Sequence, residues 1–419
     1  MKRSEILNGQ TENSVKSIMH KMIILPKIQI KSTNLENLSV FSQGYPKIYT
    51  TMDINSNAYN VKINVRGSSS SYFPKKQFKI ETQEYINNEY EDKSYELLGM
   101  SKEEDWILHA PYSDKTCLRN VLAYTLGRLT MEYSPDFRFV ELEMDGVNNG
   151  LYILMEKIKR DKNRVNINKN KTSDNNGAFI FKFDRMDDGS YPHDYQESDE
   201  IFNVSINNSN LQVLYSYPSY DDIDHPNFDS QPLKTLFENA ASNPRMYVDI
   251  PSFCNFVIIN ELGKNIDAYW LSTYMYKHEN ENKLYFGPIW DFNLAFGNVN
   301  YGNLEIEGLS LDQGWNKQKE FFKIIYNELK QDVITLFKNS PYYNIEFIKN
   351  ILKQNADLIY FSRNCNALSE NFDRWNTLGV YVWPNPDGYE NRLTYESEYD
   401  YLIQWLENRI IWLQSHWNI

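Results

Sequence analysis

The chain of 419 residues is long enough for two to three domains or one elaborate unit, and its 41% hydrophobic content supplies a core without disulfides or structural metal. Only 17 Gly and 15 Pro beside 15% aromatics exclude collagen-like, linker-like and wholly disordered chains. With 43 Lys and Arg against 56 Asp and Glu, the net charge of −13 repels nucleic acid over most of the surface and confines any polyanion site to a local patch.

Residues 1–40 read as an N-terminal extension. Their apolar patch Met22 to Leu25 is ended by Pro26 and flanked by lysines, too short for a signal segment or a membrane span. A cytoplasmic, reducing compartment is therefore expected, with no membrane and no nucleic acid as partners. Cys117, Cys254 and Cys365 are odd in number and outside any CxxC spacing, so they read as small buried thiols.

From Tyr59 onward the rhythm is strand-like. Val61, Ile63 and Val65 alternate, as do Phe78 and Ile80, around a Gly/Ser/Lys-rich connection. Lys115 to Leu129 predicts a helix, with Asp114 as a cap and Leu118, Leu122, Leu126 and Leu129 on one stripe. Phe137 to Met144 and Leu151 to Ile158 return to strand character across a turn-rich hexapeptide, residues 145–150. Two charge blocks follow: Lys157 to Lys171 has seven basic residues against one acid, and Asp184 to Glu200 has seven acids against one base. Such blocks read as solvated faces or loops, the basic one also able to steer a phosphate. After Pro251 the spacing turns helical over Phe253 to Leu262, Phe321 to Phe337, Ile345 to Leu358 and Tyr401 to Trp412. A hairpin interrupts it, Thr273 to Lys277 and Lys283 to Phe286 around a polar turn.

Two constellations carry candidate chemistry. The first is Val65-Arg66-Gly67-Ser68-Ser69-Ser70-Ser71 followed by Pro74-Lys75-Lys76. Five basic groups against one acid between Tyr59 and Glu81 make it locally positive. Small residues admit an anion to backbone N–H groups and hydroxyls, so it reads either as a phosphate-cradling hairpin or as a polar turn between strands. Neither a Walker A sequence nor GxGxxG occurs. Extending the alternation of Phe78 and Ile80 puts Lys76 on their face, so Lys76 is the lysine expected in a cleft. The second constellation runs from Asn265 to Ser272, through the hairpin, to Gly287-Pro288-Ile289-Trp290-Asp291-Phe292-Asn293. Kinase-type phosphoryl transfer uses a catalytic-loop Asp, a metal-binding side chain five residues later, two strands and then a metal-binding Asp. Asp267, Ser272 and Asp291 hold those places. Each Asp taken singly reads equally as a helix or turn cap, but the whole order of loop, lysine, helix, Asp, hairpin and Asp is that of a kinase site.

At these residues the chain resembles the CotH kinase family, named after a spore coat protein. The carrying segments are VRGSSSSYFPKKQFKI from Val65, LLGMSKEEDWILHAPYSDKTCLRNVLAY from Leu97, GLYILMEKI from Gly150 and YFGPIWDFNLAFGN from Tyr285. The resemblance implies an α+β, atypical protein-kinase-like bilobal fold: an N-lobe rich in strands over residues 41–160, and a helix-rich C-lobe with a C-terminal helical extension over residues 161–419. It implies ATP with Mg2+ or Mn2+ as cofactors and protein hydroxyls as acceptors, with spore coat proteins as substrates, and so a location that includes the spore coat. Carried over, Asp267 is the catalytic base, and Arg66, Ser69, Ser70 and Lys76 bind the nucleotide phosphates. Met155 and Glu156 form a hinge analogue near the adenine, and Asp291, Ser272 and Asn293 serve the metal. Family members often carry an acid where this chain has Asn293, which removes one charge from the metal shell. Trp106, Asp114, Arg119 and Asn120 also match the family pattern, and Arg119 reads as a cleft partner or as a pin for its helix. Two further readings stay open: the same fold performing adenylylation or glutamylation of a protein, and a pseudokinase that assembles a coat.

Overall fold

The computed structural model describes residues 25–31, 47–170, 176–184, 201–207, 209–218, 229–302, 305–314, 316–361 and 367–419. Cys365 and the acidic block beyond Asp184 lie outside them. In chain order the strands are β1 (Lys27–Lys31), β2 (Ile48–Ile54), β3 (Asn57–Arg66), β4 (Gln77–Ile86), β5 (Glu89–Asp92), β6 (Tyr95–Leu97), β7 (Met100–Glu103), β8 (Asp105–His109), β9 (Phe137–Met144), β10 (Val147–Glu156), β11 (Phe179–Phe183), β12 (Ile201–Ile206), β13 (Ser209–Tyr217), β14 (Thr273–Lys277) and β15 (Tyr285–Phe286). The helices are α1 (Arg119–Thr130), α2 (Gln231–Ser242), α3 (Pro244–Tyr247), α4 (Ile250–Gly263), α5 (Lys317–Asn339), α6 (Ile345–Ala356), α7 (Ala367–Arg374) and α8 (Tyr395–His416). The chain is thus mixed α and β.

The strand-rich part is a closed barrel. Its order β3-β2-β1-β9-β10-β8-β4 returns to β3 through the β3–β4 ladder, with β5 added to the far end of β4. Every pairing in the closed ring is antiparallel except β1 with β9. Alternation explains the closure. Val61, Ile63, Val65, Phe78 and Ile80 point inward with Ile28, Ile30, Trp106, Leu142 and Leu154, and each fully buried large side chain contributes about 1.5–3 kcal/mol. Facing away from the interior, Lys62 stands opposite the buried Glu81 in register and pairs with it, a cross-strand charge pair. The opposite face of β8, β9 and β10 presents Ile107, Phe139, Leu151, Ile153 and Met155 to α1, so one ladder serves two cores. The segment read as an N-terminal extension contributes β1, seated between β2 and β9.

The second half holds more strand than its helical spacing suggested. β12-β13-β11-β14-β15 form an antiparallel five-stranded sheet whose Phe179, Phe181, Phe183, Phe202 and Phe286 pack on Phe237, Phe253 and Phe322 from α2, α4 and α5. Only the β14–β15 hairpin of this sheet was expected. β11 lies between the two charge blocks, whose polarity hid its alternating phenylalanines, and β12 and β13 follow the second block. α4 starts where Asp249 accepts the Ser252 N–H (2.9 Å), with Pro251 in the first turn, and it is buried almost all round.

Two further expectations change. The helix read from Lys115 begins at Arg119 because Cys117 has φ 59°, which no α-helix accommodates. The cap position falls to Leu118 rather than Asp114, although Asp114 Oδ2 accepts the Arg119 N–H at 2.9 Å. Leu118, Leu122 and Leu126 are buried, whereas Leu129 is exposed. The basic run after Lys157 is not merely solvated: Lys159 bonds Glu103 (2.7 Å), Glu104 (2.7 Å) and Asp105 (2.8 Å), and Arg164 is buried over the Trp106 ring. Cys117 and Cys254 are buried and free, as their spacing predicted. Among the described residues no helix is long and apolar enough to cross a membrane.

Candidate active site

Strand register brings three acidic or hydroxyl positions to one end of the second sheet. β11 and β14 pair Phe183 with Thr273, so Asp184 leaves β11 at the end where Ser272 leads into β14. β14 and β15 pair Met275 with Phe286, and the Gly287 N–H extends that ladder to the Tyr274 carbonyl at 2.9 Å, which returns residues 288–291 to the same end. α4 stops at Lys264 (φ 43°), and the loop from Asn265 to Ser272 follows. The Phe296 N–H donates to the Gly263 carbonyl at 2.7 Å, tying the segment after Asp291 to the helix end before Asp267. A Cβ on Gly263 would press on Ala295 and Phe296 at 3.2 and 3.3 Å. The two Asp-bearing loops are therefore docked on one another.

Asp291 sits half-buried with φ 62°, a conformation uncommon outside glycine that the surroundings must enforce. Its N–H donates to Tyr124 Oη (3.3 Å), the Phe292 N–H donates to Asn120 Oδ1 (2.6 Å), and the Trp290 ring lies 6.0 Å from that of Tyr124. Burial raises the Asp291 pKa above its ordinary value, Arg66 opposes the shift, and Asp184 adds to it. The Arg66 guanidinium lies 5.9 Å from the Trp290 ring centroid. Arg66, Asp184 and Asp291 thus share one electrostatic environment.

A chain of polar contacts joins this group to the barrel. Arg66 Nη1 donates to Gln77 Oε1 (3.4 Å), which also accepts from His109 Nδ1 (2.8 Å). Because Asn120 Oδ1 is occupied by the Phe292 N–H, its amide must donate to His109 Nε2 (3.2 Å), which assigns a neutral imidazole protonated on Nδ1. Burial pushes the His109 pKa down to about 3, with the Arg66 charge adding and Asp114 opposing. Arg119 pairs with Asp114 at 2.6 Å and donates to the Phe296 carbonyl at 3.4 Å; of the two readings it pins the helix and the loop.

The loop between β3 and β4 turns at Gly67 (φ 103°), where a Cβ would sit 2.2 Å from Ser70 Oγ. Ser69 and Ser70 lie in a tight turn, Ser69–Tyr72, in which Ser71 Oγ donates to the Ser68 carbonyl at 2.6 Å. Ser68 Oγ is buried with no hydrogen-bond partner among the described residues, a polar atom ready for a ligand oxygen. Lys76 does not follow the alternation of Phe78 and Ile80, since β4 begins only at Gln77; its Nζ caps the Ser71 carbonyl of its own loop at 2.7 Å. Lys75 is the buried one, bonding the Leu151 carbonyl (2.5 Å) and Asn371 Oδ1 (2.7 Å).

The remaining candidates are placed as follows. Asp267 is half-buried, its N–H bonded to Asn265 Oδ1 (3.2 Å) and its carbonyl to the Leu271 N–H (3.0 Å), and its charge acts on Lys319. Ser272 has φ 48° and is half-buried. Asn293 is half-buried, with its carbonyl held by Asn298 Nδ2 at 2.8 Å. Met155 is buried in the core beneath α1, and Glu156 is buried with Oε2 accepting the Asp136 N–H at 3.0 Å. Burial raises the Glu156 pKa against Arg164. The carboxylates of Glu103, Glu104 and Asp105 also cluster closely enough for a cation, but Lys159 already bridges all three. Asp184, Gln77 and His109 were missed; the only sequence signal for Asp184 is its place directly after the Phe179, Phe181, Phe183 alternation.

A family model described as CotH kinase protein matches residues 63–413. No curated protein matches the chain. Among solved structures, the proinflammatory kinase CtkA of Helicobacter pylori aligns with 69% of this chain and 94% of its own at 11% identity, with a TM-score of 0.22, too low for the folds to be equated.

Proposed function

Because the chain belongs to the CotH kinase family, we propose that it is an ATP- and Mg2+-dependent protein kinase of that type, transferring a phosphoryl group to hydroxyls of protein substrates. Spore coat proteins are the substrate class that the resemblance implies. The observation that carries this reading is the sheet end where Asp184, Ser272 and Asp291 meet, facing Arg66. In this reading the barrel is the nucleotide-side lobe and residues 161–419 form the other.

The donor set suits a hard divalent cation: the Asp291 and Asp184 carboxylates, the Asn293 amide oxygen and the Ser272 hydroxyl are all oxygen ligands. A second carboxylate from Asp184 compensates for the acid that Asn293 replaces. When bound, such a cation would neutralise the negative charge that develops on the transferred phosphoryl group. Arg66 and the orphaned Ser68 hydroxyl hold phosphate oxygens beside the small residues of the loop. Asp267 orients the acceptor hydroxyl and takes its proton as the new P–O bond forms and the bond to the departing ADP oxygen breaks. Holding Asp291 through Tyr124 and Asn120 makes the arrangement preorganised rather than assembled during reaction.

The test is transfer from γ-labelled ATP together with Mn2+ binding followed by electron paramagnetic resonance. Asp291→Ala abolishes labelling, and Asp184→Asn weakens Mn2+ binding by at least about 10-fold. Undiminished labelling by Asp291→Ala would sink the assignment. Intact mass of the modified substrate separates phosphorylation from adenylylation and glutamylation. Asn293 favours a pseudokinase over these, and nucleotide binding without turnover in the wild type is the result that would establish it.

A further inference from the structure

The buried ion pair of Glu261 and Arg409 joins the end of α4 to α8, with both side chains fully excluded from solvent and Arg409 Nη2 3.3 Å from Glu261 Oε2. Glu261 lies in the last turn of α4, just before the Asp267 loop. Its Oε1 accepts Tyr269 Oη (2.8 Å) and the Leu311 N–H (2.9 Å), and its Oε2 also accepts the Ser310 N–H (2.7 Å). Every one of these partners donates, which suits a carboxylate and not a carboxylic acid. Burial raises the Glu261 pKa, and Arg409, Tyr269 and the backbone donors oppose it. Arg409 in turn directs three further donors at carbonyls: Nε at Glu261 (2.9 Å), and Nη1 at Ile306 (2.5 Å) and Gly308 (2.8 Å).

This network acts on the loop that bears Asp267. Tyr269 has φ 73°, a strained backbone for an aromatic residue that needs external support. The Tyr269 hydroxyl supplies that support through Glu261, and Ser310 Oγ holds the Asn265 carbonyl at 2.5 Å from the other side. The same helix α8 also grips the loop of Asp291. Tyr401 Oη donates to the Gly297 carbonyl at 2.9 Å, and a Cβ on Gly297 would lie 2.4 Å from Trp405 Cδ1.

We propose that α8 is a brace for both Asp-bearing loops, with Glu261 and Arg409 as positioning residues that hold the Asp267 loop in its working conformation. The proposal rests on reading Asp267 as the catalytic base. It makes the C-terminal helix part of the catalytic unit, since a carboxylate displaced by about 1 Å costs about 100-fold in rate.

Trp270 reports on this loop independently of activity, because its Nε1 donates to the Ile266 carbonyl at 3.1 Å within it. The experiment is 19F NMR of the full chain labelled with 5-fluorotryptophan, with Trp270 assigned by Trp270→Phe and the barrel's buried Trp106 as a reference for folding. In Arg409→Met the Trp270 resonance shifts or broadens while that of Trp106 stays; kcat falls about 100-fold with the KM for ATP nearly unchanged. Arg409→Lys recovers part of the rate by restoring the charge without the fork. If Arg409→Met fails to fold, Tyr269→Phe, which keeps the ion pair, must perturb Trp270 and lower kcat. An unmoved Trp270 resonance in a folded variant, or an unchanged kcat, overturns the brace. A wild type that transfers nothing from ATP defeats the kinase reading, while the Trp270 resonance still judges the brace.

Discussion

Arg66 and Lys76 stand at the two ends of one loop and meet different partners. Arg66 faces Trp290, Gln77 and the field of Asp291, whereas Lys76 directs its ammonium at the Ser71 carbonyl. A guanidinium aimed into the site offers a phosphate paired donors that an amine capping its own loop does not. Arg66→Met is therefore expected to weaken ATP binding about 10- to 100-fold and Lys76→Met less than about fivefold, read by isothermal titration. Equal losses would return Lys76 to the leading role. Asp291 could be nominated from sequence because Trp-Asp-Phe-Asn is a local motif. His109 was not, because its neighbours Gln77 and Asn120 come from a strand and a helix that only the barrel brings together.

At the scale of elements, α7 clamps the loop between β3 and β4 to β10. Asn371 Oδ1 accepts from Lys75 Nζ (2.7 Å) and from the Leu151 N–H (3.2 Å), and Gly150, with φ 81°, must lack a Cβ because one would meet Asn371 Oδ1 at 2.6 Å. Burial depresses the Lys75 pKa to about 7 from 10.5, with Cys117 slightly opposing. A depressed pKa means that the folded state sheds the proton first. Its stabilising contribution is complete above the unfolded value of 10.5 and is lost as pH falls through about 7. The stability of the wild type relative to Lys75→Met should therefore rise by a few kcal/mol (about 1.4 per pKa unit) between pH 7 and 10. Urea denaturation at matched pH values measures it, and a flat difference would place the Lys75 amine in water. The elements themselves were unevenly legible. β9 and β14 have the boundaries that their alternation predicted, and α4, α5 and α6 follow their apolar spacing to within a few residues. β5 escaped because all four of its residues are exposed and none alternates in apolarity.

The whole molecule depends on closing the barrel through β1, a five-residue strand far in sequence from its parallel partner β9. Ile28 and Ile30 fill the interior from that strand. Ile30→Ala should cost about 2–5 kcal/mol, against less than about 0.5 kcal/mol for the exposed Ile86→Ala; equal costs in chemical denaturation would mean that β1 does not close the ring. Composition, alternation and motif order were enough to establish a packed acidic protein of mixed α and β, a basic loop and two aspartates around a hairpin, because those properties are local or additive along the chain. The closure of the barrel, the approach of Asp184 to Asp291, the different partners of Arg66 and Lys76 and the buried pair of Glu261 with Arg409 were decided only in three dimensions. Each depends on strand register or on a contact between segments distant in sequence, and such pairings leave no period in the residues that make them.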